Sequence, residues 1–231
     1  MNIILKFFLA FYKNKRLFIL KKLEEIEMSK NNSEIESKNK REEILDAAAK
    51  LFRRKGYNGT SIRDITSAVG ILRGSIYSHF ESKEQIFLTI LHRGIDSLLN
   101  GALNVVNKQL SPREKLRGVI ENHLRHIMEN NNSLVIFMQE RQNIPSEEIQ
   151  SYLKKRDQYE LILRNILEEG IKKNEFPELD VRYTVFAILG MCNWVIHWFN
   201  PAGADSSEEI SKYMAFLICD HFLVKQKKAF D

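Results

Sequence analysis

Apolar residues recur at helical rather than strand spacing along most of this 231-residue chain. Ile44, Leu45, Ala48, Leu51 and Phe52 fall at i, i+1, i+4, i+7 and i+8, positions that share one face of a helix. Glu42 and Glu43 stand near its start and Arg53, Arg54 and Lys55 near its end, as the helix dipole favours. Gly56 supplies a left-handed stop. A short second helix starts at Thr60, whose hydroxyl is placed to cap it, and turns Ile62, Ile65 and Val69 inward up to the turn at Gly70. A third short helix spans 71–80. Ser82, with Gln85 three residues on, forms a capping box for a fourth, striped by Ile86, Phe87, Ile90, Leu91, Leu98, Leu99, Ala102 and Val106. Two short helices joined by a glycine-containing turn predict a helix-turn-helix.

The pattern beyond residue 110 is also helical and well punctuated. Ser111, Pro112 and Glu114 open a helix with the stripe Leu116, Val119, Ile120, His123, Leu124 and Ile127, which three asparagines at 130–132 break. Leu134 to Met138 is a short apolar segment expected to be buried on most sides. A long helix from about Ser146 carries Ile149, Tyr152, Leu153, Tyr159, Leu163, Ile166 and Leu167, and Asn174 to Pro177 ends it. Asp180 caps a very apolar helix running to Phe199. Ser206 and Glu209 box a last one, with Ile210, Tyr213, Met214, Leu217 and His221 on one face. The fold class is all-α: a three-helix helix-turn-helix domain, then a helical domain.

Composition agrees, since ten glycines and four prolines favour helices over sheets. The net charge of +5 is uneven: residues 1–27 carry +3 and 38–90 carry +4, while 91–231 carry −1. A basic block beside a neutral helical body suits a phosphate-facing module with a separate ligand or partner domain. Cys192 and Cys219 lie in apolar helical stretches, fit neither a disulfide framework nor a zinc site, and suggest a reducing cytoplasm. Residues 1–27 are apolar runs interrupted by Lys6, Lys13, Lys15 and Arg16, too broken for a membrane span and in the wrong order for a secretory signal. Leu23-Glu24-Glu25 can be encoded by a purine-rich ribosome-binding sequence, so translation is expected to start at Met28. Residues 1–37 are then leader and flexible arm, 38–85 the DNA-binding domain, and 86–231 the effector-binding and dimerisation domain.

The stretch 41–87 resembles the TetR-family DNA-binding domain over its whole length. The matches are Gly56-Tyr57, Gly59-Thr60-Ser61, Arg63-Asp64-Ile65, Gly74-Ser75-Ile76-Tyr77, His79-Phe80 and Ser82-Lys83-Glu84. The family usually has a polar cap where Leu72 stands. The resemblance implies that Arg73, Gly74, Ser75 and Ser78 face bases, with Arg63 reaching guanine, and that Ser61, Tyr77, His79 and Lys83 hold phosphates, Thr60 standing beside them. It also implies a homodimer whose last two helices form a four-helix bundle, with recognition helices about 34 Å apart on a palindromic operator.

The run Asn193-Trp194, Trp198-Phe199, Pro201 and Gly203, with Gly70-Ile71-Leu72 and Gly74-Ser75, is similar to TetR regulators of fatty-acid and steroid breakdown, which respond to acyl-CoA thioesters. The expected pocket residues are Phe137, Met138, Arg141, Tyr159, Phe186, Gly190, Asn193, Trp194, His197 and Trp198. Packing of both tryptophans in the dimer bundle is the competing reading. Arg141, Arg156, Arg164 and Lys172 are available for the phosphates. No cofactor is expected. His123 and His126 sit at i, i+3, a metal-compatible spacing with no evident completing ligand. No phosphate-cradling loop, nucleophile elbow or metal cluster points to an enzyme. A TetR-type regulator of efflux or of another pathway with a different hydrophobic ligand, a non-specific DNA-binder, and a membrane-tethered protein resting on residues 1–23 are the other rivals. No stable membrane association is expected.

Overall fold

In the computed structural model, residues 35–224 are described, apart from 131 and 145. The leader, most of the arm and the expected start at Met28 lie outside them. Among the described residues all regular structure is helical. The first helix, α1, covers 35–55, so its start takes in the last three residues assigned to the arm. Next come α2 (Ile62–Val69) and a short 3-10 helix (Arg73–Ser78). After these follow α3 (Lys83–Val106), α4 (Pro112–Asn130), α5 (Asn132–Glu140), α6 (Ser146–Lys172), α7 (Val181–Trp194) and α8 (Ser207–Phe216).

The helix ends follow local chemistry. The Ser61 hydroxyl accepts from the Asp64 N–H at 3.1 Å, and the Asp64 carboxylate accepts from the Ser61 N–H at 2.9 Å, a reciprocal cap that starts α2. The cap is therefore Ser61, not Thr60. Gly70, at φ 73°, ends α2 with a backbone that costs a residue bearing Cβ dearly. Asp180 caps α7 through the Tyr183 N–H at 3.0 Å, and Ser206 with Glu209 boxes α8. The apolar run expected to stay helical to Phe199 instead leaves the α-helix after Trp194 and continues as a 3-10 turn, Val195–His197. α8 likewise passes into a π-turn at Leu217–Phe222. The buried face differs from the expected one: Ser211, Ala215, Ile218 and Cys219 are buried, while Tyr213 and His221 point outward.

Two apolar cores result. The first gathers α1, Ile65 of α2, Ile76 of the 3-10 helix and the first half of α3 to Ile95, together with Ile136 and Phe137 of α5 and Ile144 and Tyr152 beyond it. The second holds the rest of α3 with α4, α6, α7 and α8. The boundary expected at 85/86 thus falls inside α3, whose first turns pack in the first core. Met138, expected to be buried, is exposed, because only one side of α5 meets that core. Ion pairs tie the modules across α3: Arg93 reaches Glu42 and Asp46 of α1, each at 2.6 Å, and Lys155 of α6 reaches Asp96 at 2.6 Å.

Candidate functional site

The 3-10 helix is planted by Ile76, fully buried, and by Phe80, over whose ring the Arg41 guanidinium sits at 4.5 Å. It is short and uncapped. Leu72 makes no side-chain capping bond and stands exposed, so the chain closes through tight i to i+3 bonds, Ser75 N–H to Leu72 carbonyl at 2.9 Å and His79 N–H to Ile76 carbonyl at 3.0 Å. Arg73, Gly74, Ser75, Tyr77 and Ser78 face outward, with His79 half-buried at their edge. Arg63 of α2 is exposed alongside. A side chain at Gly74 would meet nothing of the protein within 4 Å, so no packing inside the chain requires a glycine there.

Two residues expected at this surface also take part in the frame behind it. Thr60 is buried and its hydroxyl donates to the Gly56 carbonyl at 2.9 Å. The Lys83 ammonium donates to the carbonyls of Tyr57 and Thr60, both at 2.9 Å, and lies 4.1 Å from the centre of the Tyr57 ring. These bonds clamp the α1–α2 turn to the start of α3. Ser61 is exposed, with its hydroxyl engaged in the cap of α2. Asp64, bonded by Ser61 and Lys55, is held well below the ordinary carboxylate range.

A cavity of about 500 Å³ opens in the helical body, walled by α3, α4, α5, α6 and α7. Five of the expected pocket residues line it: Phe137, Met138, Tyr159, Phe186 and Asn193. Arg141 begins the 3-10 turn after α5 and is not among the lining residues. Gly190, Trp194, His197 and Trp198 turn away from the cavity and stand exposed on the outer face of α7 and the turn that follows it. α7 is apolar on three sides. Val185, Ile188 and Cys192 face the core, Phe186, Leu189 and Asn193 face the cavity, and Tyr183, Gly190 and Trp194 face outward. Composition alone does not separate those sides. α8 and the π-turn after it also present exposed rings, Tyr213, Phe216 and Phe222, and exposed aromatic surface of this kind marks a site that pairs with a partner.

His123 is a pocket residue, although its spacing to His126 marked it only as a metal candidate. It lines the cavity, bonded through Nδ1 to the Tyr159 hydroxyl at 2.9 Å and through Nε2 to Asn193 Oδ1 at 3.1 Å. Burial pulls its pKa down to about 4. His126 faces a second cavity, of about 410 Å³ between α1, α3 and the α4–α5 corner, its Nδ1 3.5 Å from the Ser97 hydroxyl. The two imidazoles do not converge, and among the described residues no set of three metal-ligating side chains does. Of the expected basic residues, Arg156 lines the cavity of about 500 Å³, and Arg164 lies over the Phe186 ring at 6.0 Å. Arg182, missed in the sequence, lies over the same ring at 5.7 Å. Both cysteines are buried, their thiols pushed up to about 12 by burial, as inert apolar packing requires. No helix among the described residues is long and apolar enough to cross a membrane.

One element joins the surface to the cavity. Phe137 of α5 lines the cavity and also packs in the first core, stacked on Tyr152 with ring centres 4.2 Å apart. One turn on, the buried Glu140 carboxylate accepts the Tyr57 N–H at 2.8 Å.

Comparison with known proteins agrees with this two-module arrangement. Residues 44–90 match the model of bacterial regulatory proteins of the tetR family, and residues 109–222 match a tetracyclin repressor-like C-terminal domain. The transcriptional repressor KstR2 of Mycobacterium tuberculosis is 31% identical over 183 residues, covering 78% of this chain and 91% of that one. The structure of that ketosteroid regulator aligns at a TM-score of 0.73 with 28% identity, over 80% of this chain and 95% of that one. The TetR-family regulator PfmR of Thermus thermophilus is 35% identical at a TM-score of 0.70, over 76% of this chain and 96% of that one. The fatty acid metabolism regulator protein of Bacillus subtilis is 27% identical over 161 residues, covering 67% of this chain and 83% of that one. These relatives regulate genes and are not enzymes. With a recognition turn set on one core, a walled cavity in the other and matches over both modules, the chain belongs to the TetR family of bacterial transcriptional regulators.

Proposed function

We propose that this protein is a homodimeric repressor that holds a palindromic operator and releases it when an acyl-CoA thioester enters the cavity. The observation that carries the reading is the double duty of α5, which walls the cavity with Phe137 and Met138 and holds the DNA-reading module through Glu140. A ligand that pushes on that wall moves Glu140, and with it the turn on which α2 and the 3-10 helix depend. Two recognition turns in a pair must meet successive major grooves about 34 Å apart, so a small tilt of each module breaks simultaneous contact. The differential affinity needed is about 1–3 kcal/mol or more.

The cavity supports the effector class. Its volume of about 500 Å³ suits an acyl group. The exposed residues Met138, Arg156 and Phe186 mark its mouth, and Arg164 and Arg182 flank Phe186 there. Guanidinium groups at an apolar mouth fit a ligand with an anionic phosphate head and an apolar tail. The KstR2 relatives are named as repressors and the Bacillus subtilis relative for fatty-acid metabolism, which supports the same reading.

Fluorescence anisotropy on labelled promoter fragments flanking the protein's own gene tests it. The protein should prefer one palindromic fragment to scrambled duplex by at least about a thousandfold. Saturating octanoyl-CoA or a longer acyl-CoA should lower that affinity about tenfold or more. Equal binding to all duplexes, or an operator affinity indifferent to every acyl-CoA, overturns the proposal.

A further inference from the structure

Apart from Tyr152, Arg156 and Glu160, the last paired with Arg164, the polar side chains of the cavity wall gather in one patch, to which three helices each contribute one. His123 comes from α4, Tyr159 from α6 and Asn193 from α7. The structure turns Asn193 Oδ1 toward the ring, and with the amide in that orientation the directions of the hydrogen bonds follow. Buried and with its pKa drawn down to about 4, His123 is neutral near pH 7, so one ring nitrogen donates and the other accepts. Asn193 Oδ1 only accepts, so the proton is on Nε2, and Nδ1 must accept from the Tyr159 hydroxyl. The chain of bonds therefore runs one way, from Tyr159 through His123 to Asn193. A self-contained structural trio would end satisfied. This one ends on the Asn193 amide nitrogen, whose two protons have no protein acceptor among the described residues, on a side chain that lines the cavity. The bond from His123 also fixes the amide plane and increases the donor strength of the NH₂ group.

We infer that Asn193, oriented by His123 and Tyr159, donates a hydrogen bond to an uncharged carbonyl oxygen of the effector, and so selects ligands that carry such an oxygen in their buried portion. A carboxylate is disfavoured at this patch, because the imidazole is neutral and an unpaired anion there would be costly to bury. The oxygen comes from one of two sources, the thioester carbonyl or a ketone further along the acyl group. The inference takes the effector class from the proposed function and adds what the cavity demands of it.

Isothermal titration with three probes tests it: S-octyl-CoA, a thioether with no carbonyl on the sulfur; octanoyl-CoA; and 7-oxooctanoyl-CoA. Wild-type protein should bind at least one of the carbonyl compounds about tenfold tighter than S-octyl-CoA. A preference present with octanoyl-CoA identifies the thioester carbonyl, and one present only with 7-oxooctanoyl-CoA identifies the chain ketone. In Asn193→Asp and in Asn193→Leu, neither of which offers the amide donor, the preference, read as the ratio to S-octyl-CoA within the same variant, should collapse to about one. Circular dichroism and operator binding without ligand verify that the variants are folded. Should neither variant fold, the wild-type comparison of the three probes decides alone. Equal binding of all three to wild type, or a preference that survives both substitutions, overturns the inference and leaves the effector class standing. No binding by any of them overturns both.

Discussion

His123 shows how one buried side chain writes itself into the pH dependence of the whole chain. Its folded pKa, about 4, lies below the unfolded value of 6.5, so between those values the unfolded chain binds the extra proton. Its contribution is thus fully present above pH 6.5 and is lost as pH falls toward 4. A shift of that size corresponds to about 3 kcal/mol of stability. Urea unfolding from pH 7 to pH 4 should show that decline in wild type and a shallower one in His123→Gln, with any remaining slope due to His126 and the carboxylates. Parallel slopes for the two proteins would show that His123 is not held neutral. Thr60 and Lys83 teach a related lesson at the same scale. A family motif marks positions that matter without saying why, and these two hold the α1–α2 turn to α3.

The elements themselves were largely legible. Side-chain caps at Ser82, Ser111, Asp180 and Ser206, and the apolar stripe of α1, act over three or four residues, and local chemistry of that range is printed in the sequence. What was not legible depends on packing between distant segments. The exit of α7 into a 3-10 turn after Trp194 and the π-turn after Phe216 answer to neighbouring helices, and so does the division of the α7 aromatics among three sides. The bond from Glu140 to Tyr57 spans 83 positions and left no local signal. It supplies the prediction for this scale. Glu140→Ala strands a buried N–H, costs about 1–3 kcal/mol, and should lower the thermal midpoint. Hydrogen exchange measured by mass spectrometry should quicken at Tyr57 and through Arg73–Ser78 while α8 is unaffected. Unchanged exchange in the 3-10 helix would mean that α5 does not steady the reading surface.

For the whole molecule, the outward rings of α7 and α8 matter most. Trp194 and Tyr213 are 62% and 61% exposed, too much aromatic surface for a protomer to leave in water without a partner. Gly190 sits among them, and a Cβ added there would meet nothing within 4 Å, which leaves room for a second helix to come close. Replacing Trp194 and Tyr213 together by glutamate should leave each chain folded, since neither touches the core. Light scattering should then report a single-chain mass, and operator affinity should fall by about 100-fold or more as two linked contacts become two independent ones. A double variant that still runs at twice the chain mass would place the pairing surface elsewhere.

That bare aromatic side also bears on how steeply genes respond. If operator occupancy requires two chains, then at concentrations too low for full pairing it rises with the square of the amount of protein made. A twofold drop in synthesis, or a halving at cell division, is then felt as roughly a fourfold loss of silencing power. If those rings hold the pair together, they also set a dosage threshold below which the regulated genes switch on without any effector.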